Sequence, residues 1–145
     1  MSEQQQERSE ESLRHEYTEV VQNIRHYSNL RFAVFSIFFA VMAGVGIVGF
    51  GKGQFSDQAA AVARIAGFPV IAIFWLYEER ASQFFDHYTS VAIDLERLLG
   101  YRQYSTKPPP KLYLPQAKVL TRLFFVLLAF LWVYVAIAVP LGRGE

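Results

Sequence analysis

The chain has no cysteine. That removes disulfides, thiolate metal sites and a cysteine nucleophile. It has almost no charge imbalance: the formal net charge is +1, so there is no basic field of the kind that attracts nucleic acid, and no nucleic-acid partner is expected. Histidine is scarce. His15, His26 and His87 are the three, and none stands in a zinc-helix spacing with a second histidine. There is no nucleophile elbow, phosphate loop or metalloprotease motif. No catalytic residue, cofactor site or metal site is therefore assigned, and an enzyme is not expected. The opening MSEQQQERSEES is polar and acidic, so it lacks the apolar centre of a secretory signal.

What the chain also lacks, over three long stretches, is charge. Phe32–Phe50 has none, Ala59–Tyr77 has only Arg64, and Val119–Leu141 has only Arg122 near its start. In a helix, about 19 residues at about 1.5 Å rise cover roughly 28 Å, the thickness of a bilayer's hydrocarbon layer. The expected fold is an all-α integral membrane protein with three transmembrane helices, at 32–50, 59–77 and 119–141. A short outer loop, 51–58, makes the first two antiparallel. Pro69 is expected to kink the second helix, and both arginines to snorkel toward headgroups. The third helix, rich in Phe124, Phe125, Phe130, Trp132 and Tyr134, is expected at the periphery, facing lipid.

The polar segments have their own periodicity. Residues 1–10 read as a disordered end. Across 11–31, Leu13, Tyr17, Val20, Ile24 and Tyr27 make one apolar stripe. Across 78–100, Phe84, Tyr88, Val91 or Ala92, Leu95 and Leu98 make another, and Gly100 fits a helix C-cap. An antiparallel two-helix stalk would bury both stripes, as an extension of the first two spans. Residues 101–118, with Pro108, Pro109, Pro110 and Pro115, read as an extended linker back to the membrane. Residues 142–145 are a short outer tail.

Basic residues orient this arrangement. Arg8, Arg14, Arg25, Arg31, Arg80, Arg97, Arg102, Lys107, Lys111 and Lys118 fall on the stalk side, against Lys52 and Arg143 opposite. The stalk and N-terminus are then cytosolic and the C-terminus outside. Arg31, Glu78, Glu79 and Arg80 mark the cytosolic interface, either as the edge of the lipid or as a collar at a pore mouth. Ser36, Ala40 and Gly44 form a small-residue ridge on the first span, and Ala59, Ala63 and Gly67 one on the second. Such ridges allow close helix approach in lipid, within one hairpin or between copies.

The segment EYTEVVQNIRHYSNLRF leading into a glycine-bearing span, followed by WLYEERASQFFDHYTSVAIDLERLLGY leaving the next, resembles the SLATT-type small bacterial membrane proteins of conflict systems. The resemblance covers about Glu16 to Tyr101, and the third span departs from that family's two-span plan. It implies a bacterial inner-membrane protein, pore-forming or membrane-disrupting, answering to nucleotide-signalling partners. The expected partners are thus the lipid bilayer, further copies of the chain and a cytosolic protein. The competing expectation is a passive anchor that recruits such a protein.

Overall fold

The computed structural model describes residues 3–51, 55–106 and 117–139. Among them the chain is all helix: α1 (Glu3–Phe50), α2 (Asp57–Leu99) and α3 (Ala117–Ala138). Each contains a stretch long and apolar enough to cross a membrane. Three expected features fall wholly or partly outside the described residues. They are positions 52–54 of the outer loop, 107–116 of the proline-rich linker, and 140–145 with Pro140 and the tail.

Several helix boundaries differ from expectation, for local reasons. The expected disordered end is helical from Glu3. Gln, Glu and Arg are good helix formers, and Arg14 adds an i,i+4 pair with Glu10 at 2.7 Å. α2 starts at Asp57, two residues before the expected position. Ser56 is its N-cap: the side-chain oxygen accepts from the Ala59 N–H at 3.3 Å, and Asp57 adds a negative charge to the first turn. Pro69 lies inside α2, which is helical on both sides of it as expected. α3 starts at Ala117.

The chain divides into two compact units. One comprises 1–32 with 80–113, the other 33–79 with 114–145. In the first, Tyr17, Val20, Val21 and Ile24 of α1 pack against Ala92 and Leu95 of α2. Leu13, Phe85, Tyr88, Val91, Leu99 and Tyr104 complete this core. Tyr27 stacks on Phe84 and on Tyr88, with centroids 5.4 and 5.6 Å away. Since Tyr17 meets the 92–96 region and Tyr27 meets 84–88, the helices run antiparallel. Leu98 does not belong to this face and is 69% exposed. At about 100° per residue it points roughly 80° away from the Tyr88 direction, while Leu99 returns to within about 20°.

The second unit is built on aromatic rings. Phe38, Met42, Ile71, Phe125 and Trp132 are its buried centre. Phe38 packs against Phe74 at 5.0 Å and Phe125 at 5.6 Å, and Trp75 lies parallel to Phe125. α3 is therefore not peripheral: two of its bulky residues sit at the centre. Phe130 and Tyr134 do remain exposed.

Arg64 reaches to the adjoining helix ends and is buried there: its Nε donates to the Gly49 carbonyl at 2.8 Å. Its Nη1 donates to the Val139 carbonyl at 2.6 Å and the Ala136 carbonyl at 3.3 Å. These carbonyls close the last turns of α1 and α3, where helices leave acceptors unmatched and their dipoles are negative. The guanidinium also lies over the Phe50 ring at 4.9 Å. Trp132 in turn donates its indole N–H to the Arg64 carbonyl at 2.9 Å.

The two small-residue ridges do not face each other. Ser36, Ala40 and Gly44 are exposed, and a Cβ on Gly44 would meet nothing within 4 Å. In α1 it is Phe35, Phe38, Met42 and Val45 that join the aromatic core. Of the second ridge, Ala63 lies beside Gly49, and Gly67 lies under Trp132 of α3. A Cβ at Gly67 would fall 2.2 Å from the indole, which its bond to Arg64 holds in place. Gly67→Ala is expected to lower stability by about 1–3 kcal/mol through overpacking. Gly44→Ala is expected to raise it by about 0.5–1 kcal/mol through lower backbone entropy. Denaturant unfolding of both variants in the same detergent measures the contrast.

Candidate functional site

The first unit concentrates its polar chemistry on one carboxylate. Glu96 has no exposed surface, although it lies on the last turn of a helix that ends two residues beyond Arg97. Gly100 explains how the chain turns back over it. With φ +74° it is in the left-handed region, and the Tyr101 N–H bonds to the Glu96 carbonyl at 3.0 Å. That 6→1 bond after a left-handed glycine is a Schellman motif. It directs residues 101–106 back along the helix pair.

The returning segment delivers two backbone donors to the Glu96 side chain. Tyr104 N–H reaches Oε1 at 2.8 Å and Ser105 N–H reaches Oε2 at 2.9 Å. From α1, the Tyr17 hydroxyl donates to Oε1 at 2.9 Å. Tyr101 covers Tyr17 edge-on at 5.4 Å. So the first residues of the expected extended linker are a strap seated on the helix pair. The sequence reading placed Tyr17 in an apolar stripe and gave Glu96 no role. The available signal was a carboxylate one helical turn before a C-cap glycine, with a tyrosine on the facing stripe.

Burial would push the Glu96 carboxyl up, but the Tyr104 and Ser105 N–H groups and the Tyr17 hydroxyl outweigh it and hold the group below its ordinary value. Tyr17 moves the other way. Burial, then the adjacent Glu96 carboxylate, push its hydroxyl up to about 12.

The second unit disposes of the expected interface charges differently from a collar. Glu79 forms a two-bond pair with Arg122 of α3, Nε donating to Oε2 at 3.0 Å and Nη2 to Oε1. The Arg122 guanidinium holds the Glu79 carboxyl below its ordinary value. Glu78 is buried and lines a cavity of about 10 Å³ with Val34, Phe35, Phe38, Phe74 and Phe125. That is room for about one water molecule. In the first unit, Arg80 lies over Phe84 at 4.6 Å and bonds Gln83 at 3.1 Å, and Arg31 is half-buried. Thus the sequence-derived interface set divides: Glu79 joins α2 to α3, Glu78 turns inward, and Arg80 stays on the surface of its own helix.

Among the described residues, no three His, Cys, Asp or Glu side chains converge as a metal site would require. The fold and these polar clusters define an all-helical protein with three membrane-compatible helices. No family model, curated protein or solved structure matches the chain.

Stability of the Tyr17–Glu96 cluster is expected to fall at both ends of the pH scale. Folded Glu96 gives up its proton more readily than the unfolded chain. Its contribution is therefore complete above the ordinary carboxyl value of 4.5 and is lost as the pH falls below it. Folded Tyr17 keeps a proton that the unfolded chain releases from 10, so its contribution is lost as the pH rises from 10 toward 12. Tyr17→Phe is expected to cost about 0.5–3 kcal/mol and to flatten the alkaline fall. Denaturant midpoints by circular dichroism across the pH range give both results.

Proposed function

We propose that the chain is a non-enzymatic multi-pass inner-membrane protein whose copies associate through the Ser36–Ala40–Gly44 face. In the assembled state they permeabilise the bilayer under control of the cytosolic helix pair. The observation that carries this reading is the exposure of Ser36, Ala40 and Gly44, with nothing within 4 Å of a Cβ at Gly44. Gly49 and Gly67, by contrast, are filled by Arg64 and Trp132. Lipid offers no hydrophobic drive between helices, so close backbone approach through small residues is a principal source of association. The cavity of about 10 Å³ beside Glu78 is too small to conduct, so a lumen on this reading lies between copies. The excess of Lys and Arg on 1–31 and 78–118 supports a cytosolic helix pair, with the C-terminus outside. The resemblance to SLATT-type proteins supports the effector role.

A second reading, a passive anchor that recruits a cytosolic protein, is favoured by one observation. The charged groups of the apolar helices are engaged internally: Arg64 with helix-end carbonyls and Arg122 with Glu79. That leaves little polar surface to line a pore.

The two readings part in experiment. Native mass measurement in nanodiscs is expected to give an oligomer for the wild type and a smaller species for Gly44→Leu, whose fold in detergent is no less resistant to denaturant. Induced expression with a membrane-potential dye is expected to report depolarisation by the wild type, and at least tenfold less by Gly44→Leu. A monomeric wild type, or a stoichiometric cytosolic partner without depolarisation in any state, overturns the effector reading in favour of the anchor.

A further inference from the structure

Glu96 is the point where three separate pieces of chain meet. Its own helix supplies the carboxylate, α1 supplies the Tyr17 hydroxyl, and the 101–106 strap supplies two backbone N–H groups. Both carboxylate oxygens are used, and the group has no exposed surface. The strap's other attachments are weaker: Tyr101 lies edge-on to Tyr17 at 5.4 Å, the Tyr17 hydroxyl bonds Gln103 Oε1 at 3.4 Å, and Tyr104 packs half-buried at the edge of the core. Arg102, Gln103, Ser105 and Thr106 are exposed. Its shortest and charge-assisted bonds are those to Glu96.

We propose that Glu96 is a latch that ties the release of the 101–106 strap to the register of α1 against α2. The carboxylate reads register through Tyr17. A slide of α1 along α2 by one turn, about 5 Å, breaks a 2.9 Å bond and leaves a buried anion short of one donor. A buried charge that loses a donor is poorly stable in place and turns toward water. The same movement withdraws Oε1 and Oε2 from the Tyr104 and Ser105 amides, because all three donors share one carboxylate. Strap and helix register therefore change together. When the latch is closed, the connection between α2 and α3 begins at Ser105. When it is open, the connection begins at Gly100 and gains roughly 17 Å of extended chain.

The latch is local to the helix pair and stands whether or not the protein permeabilises membranes. It also separates from a plain core role. A core group, when weakened, loosens the helices around it. A latch, when weakened, loosens the strap first, because Val20, Val21, Ile24, Ala92 and Leu95 hold the helices by apolar burial without it.

The test is amide hydrogen exchange on the full chain in nanodiscs at neutral pH. Glu96→Gln keeps size and one acceptor oxygen, but it places an NH2 group where one of the backbone amides needs an acceptor. Exchange of the 101–106 amides is expected to rise at least tenfold more than that of Val20–Ile24 and Val91–Leu95. Tyr17→Phe, which leaves the carboxylate intact but also removes the bond to Gln103, is expected to raise strap exchange about threefold to tenfold more than that of the same helix amides. It serves as the deciding variant if Glu96→Gln does not fold. Unchanged strap protection in the folded variants overturns the latch. So does a loss of protection that spreads equally over strap and helices, since Glu96 would then only stabilise the core.

Discussion

A guanidinium buried in an apolar helix needs acceptors, and lipid supplies none. Arg64 meets that need with the carbonyls at the ends of α1 and α3. Those carbonyls have a matching problem, since a helix terminus inside an apolar environment leaves acceptors without donors. Each side removes the other's cost. The rest of the second unit follows from this junction. Gly49 lies close under Arg64, whose Cγ is 3.3 Å from where a Cβ would stand, a tight contact. Trp132 is fixed over Gly67 by its bond to the Arg64 carbonyl, and Phe50 sits between Arg64 and Trp132, in ring contact with both. A third helix is held on a helical hairpin without any apolar driving force being required.

The first unit buries a carboxylate in place of a guanidinium. Its helix pair is held by ordinary burial of Tyr17, Val20, Val21, Ile24, Ala92 and Leu95. Against that background, a buried carboxylate is a cost that the fold recovers only by supplying donors. Two of the three come from a backbone turned back by Gly100. A left-handed glycine, a Schellman bond and an ionised side chain thus act as one motif. Without the turn the amides would not arrive, and without the amides the charge could not stay buried.

Much of this architecture was legible in the sequence, because it rests on periodicity and on missing charge. Three apolar runs and two apolar stripes are one-dimensional signals, and the observed helices contain them, the third run as far as Ala138. The fate of individual polar residues was less legible. Arg64 and Arg122 look alike in sequence, each near one end of an apolar run. One caps two helix ends and the other pairs with Glu79, and both outcomes depend on where a different helix places its partners. Leu98 and Leu99 differ by one position, and only the accumulated phase from Tyr88 decides which one faces the core. Glu96 carried only a faint sequence signal, because two of its three donors are backbone N–H groups, which every residue but proline possesses.

The small-residue ridges show most clearly where sequence reading stops. Ser36–Ala40–Gly44 and Ala59–Ala63–Gly67 have the same spacing and similar volumes, so no rule based on either distinguishes them. What separates them is the volume of whatever lies opposite. Gly67 is filled because α3 carries a tryptophan at the matching height, with a polar edge anchored to Arg64. Gly44 is empty because the inward face of α1 is already occupied by Phe35, Phe38 and Met42, which turns the ridge outward. A glycine that admits a bulky neighbour is explained by that neighbour. One that admits nothing within its own chain adds backbone entropy and gains no packing there. For such a residue, in a helix long and apolar enough to cross a membrane, contact with another helix is the use we propose.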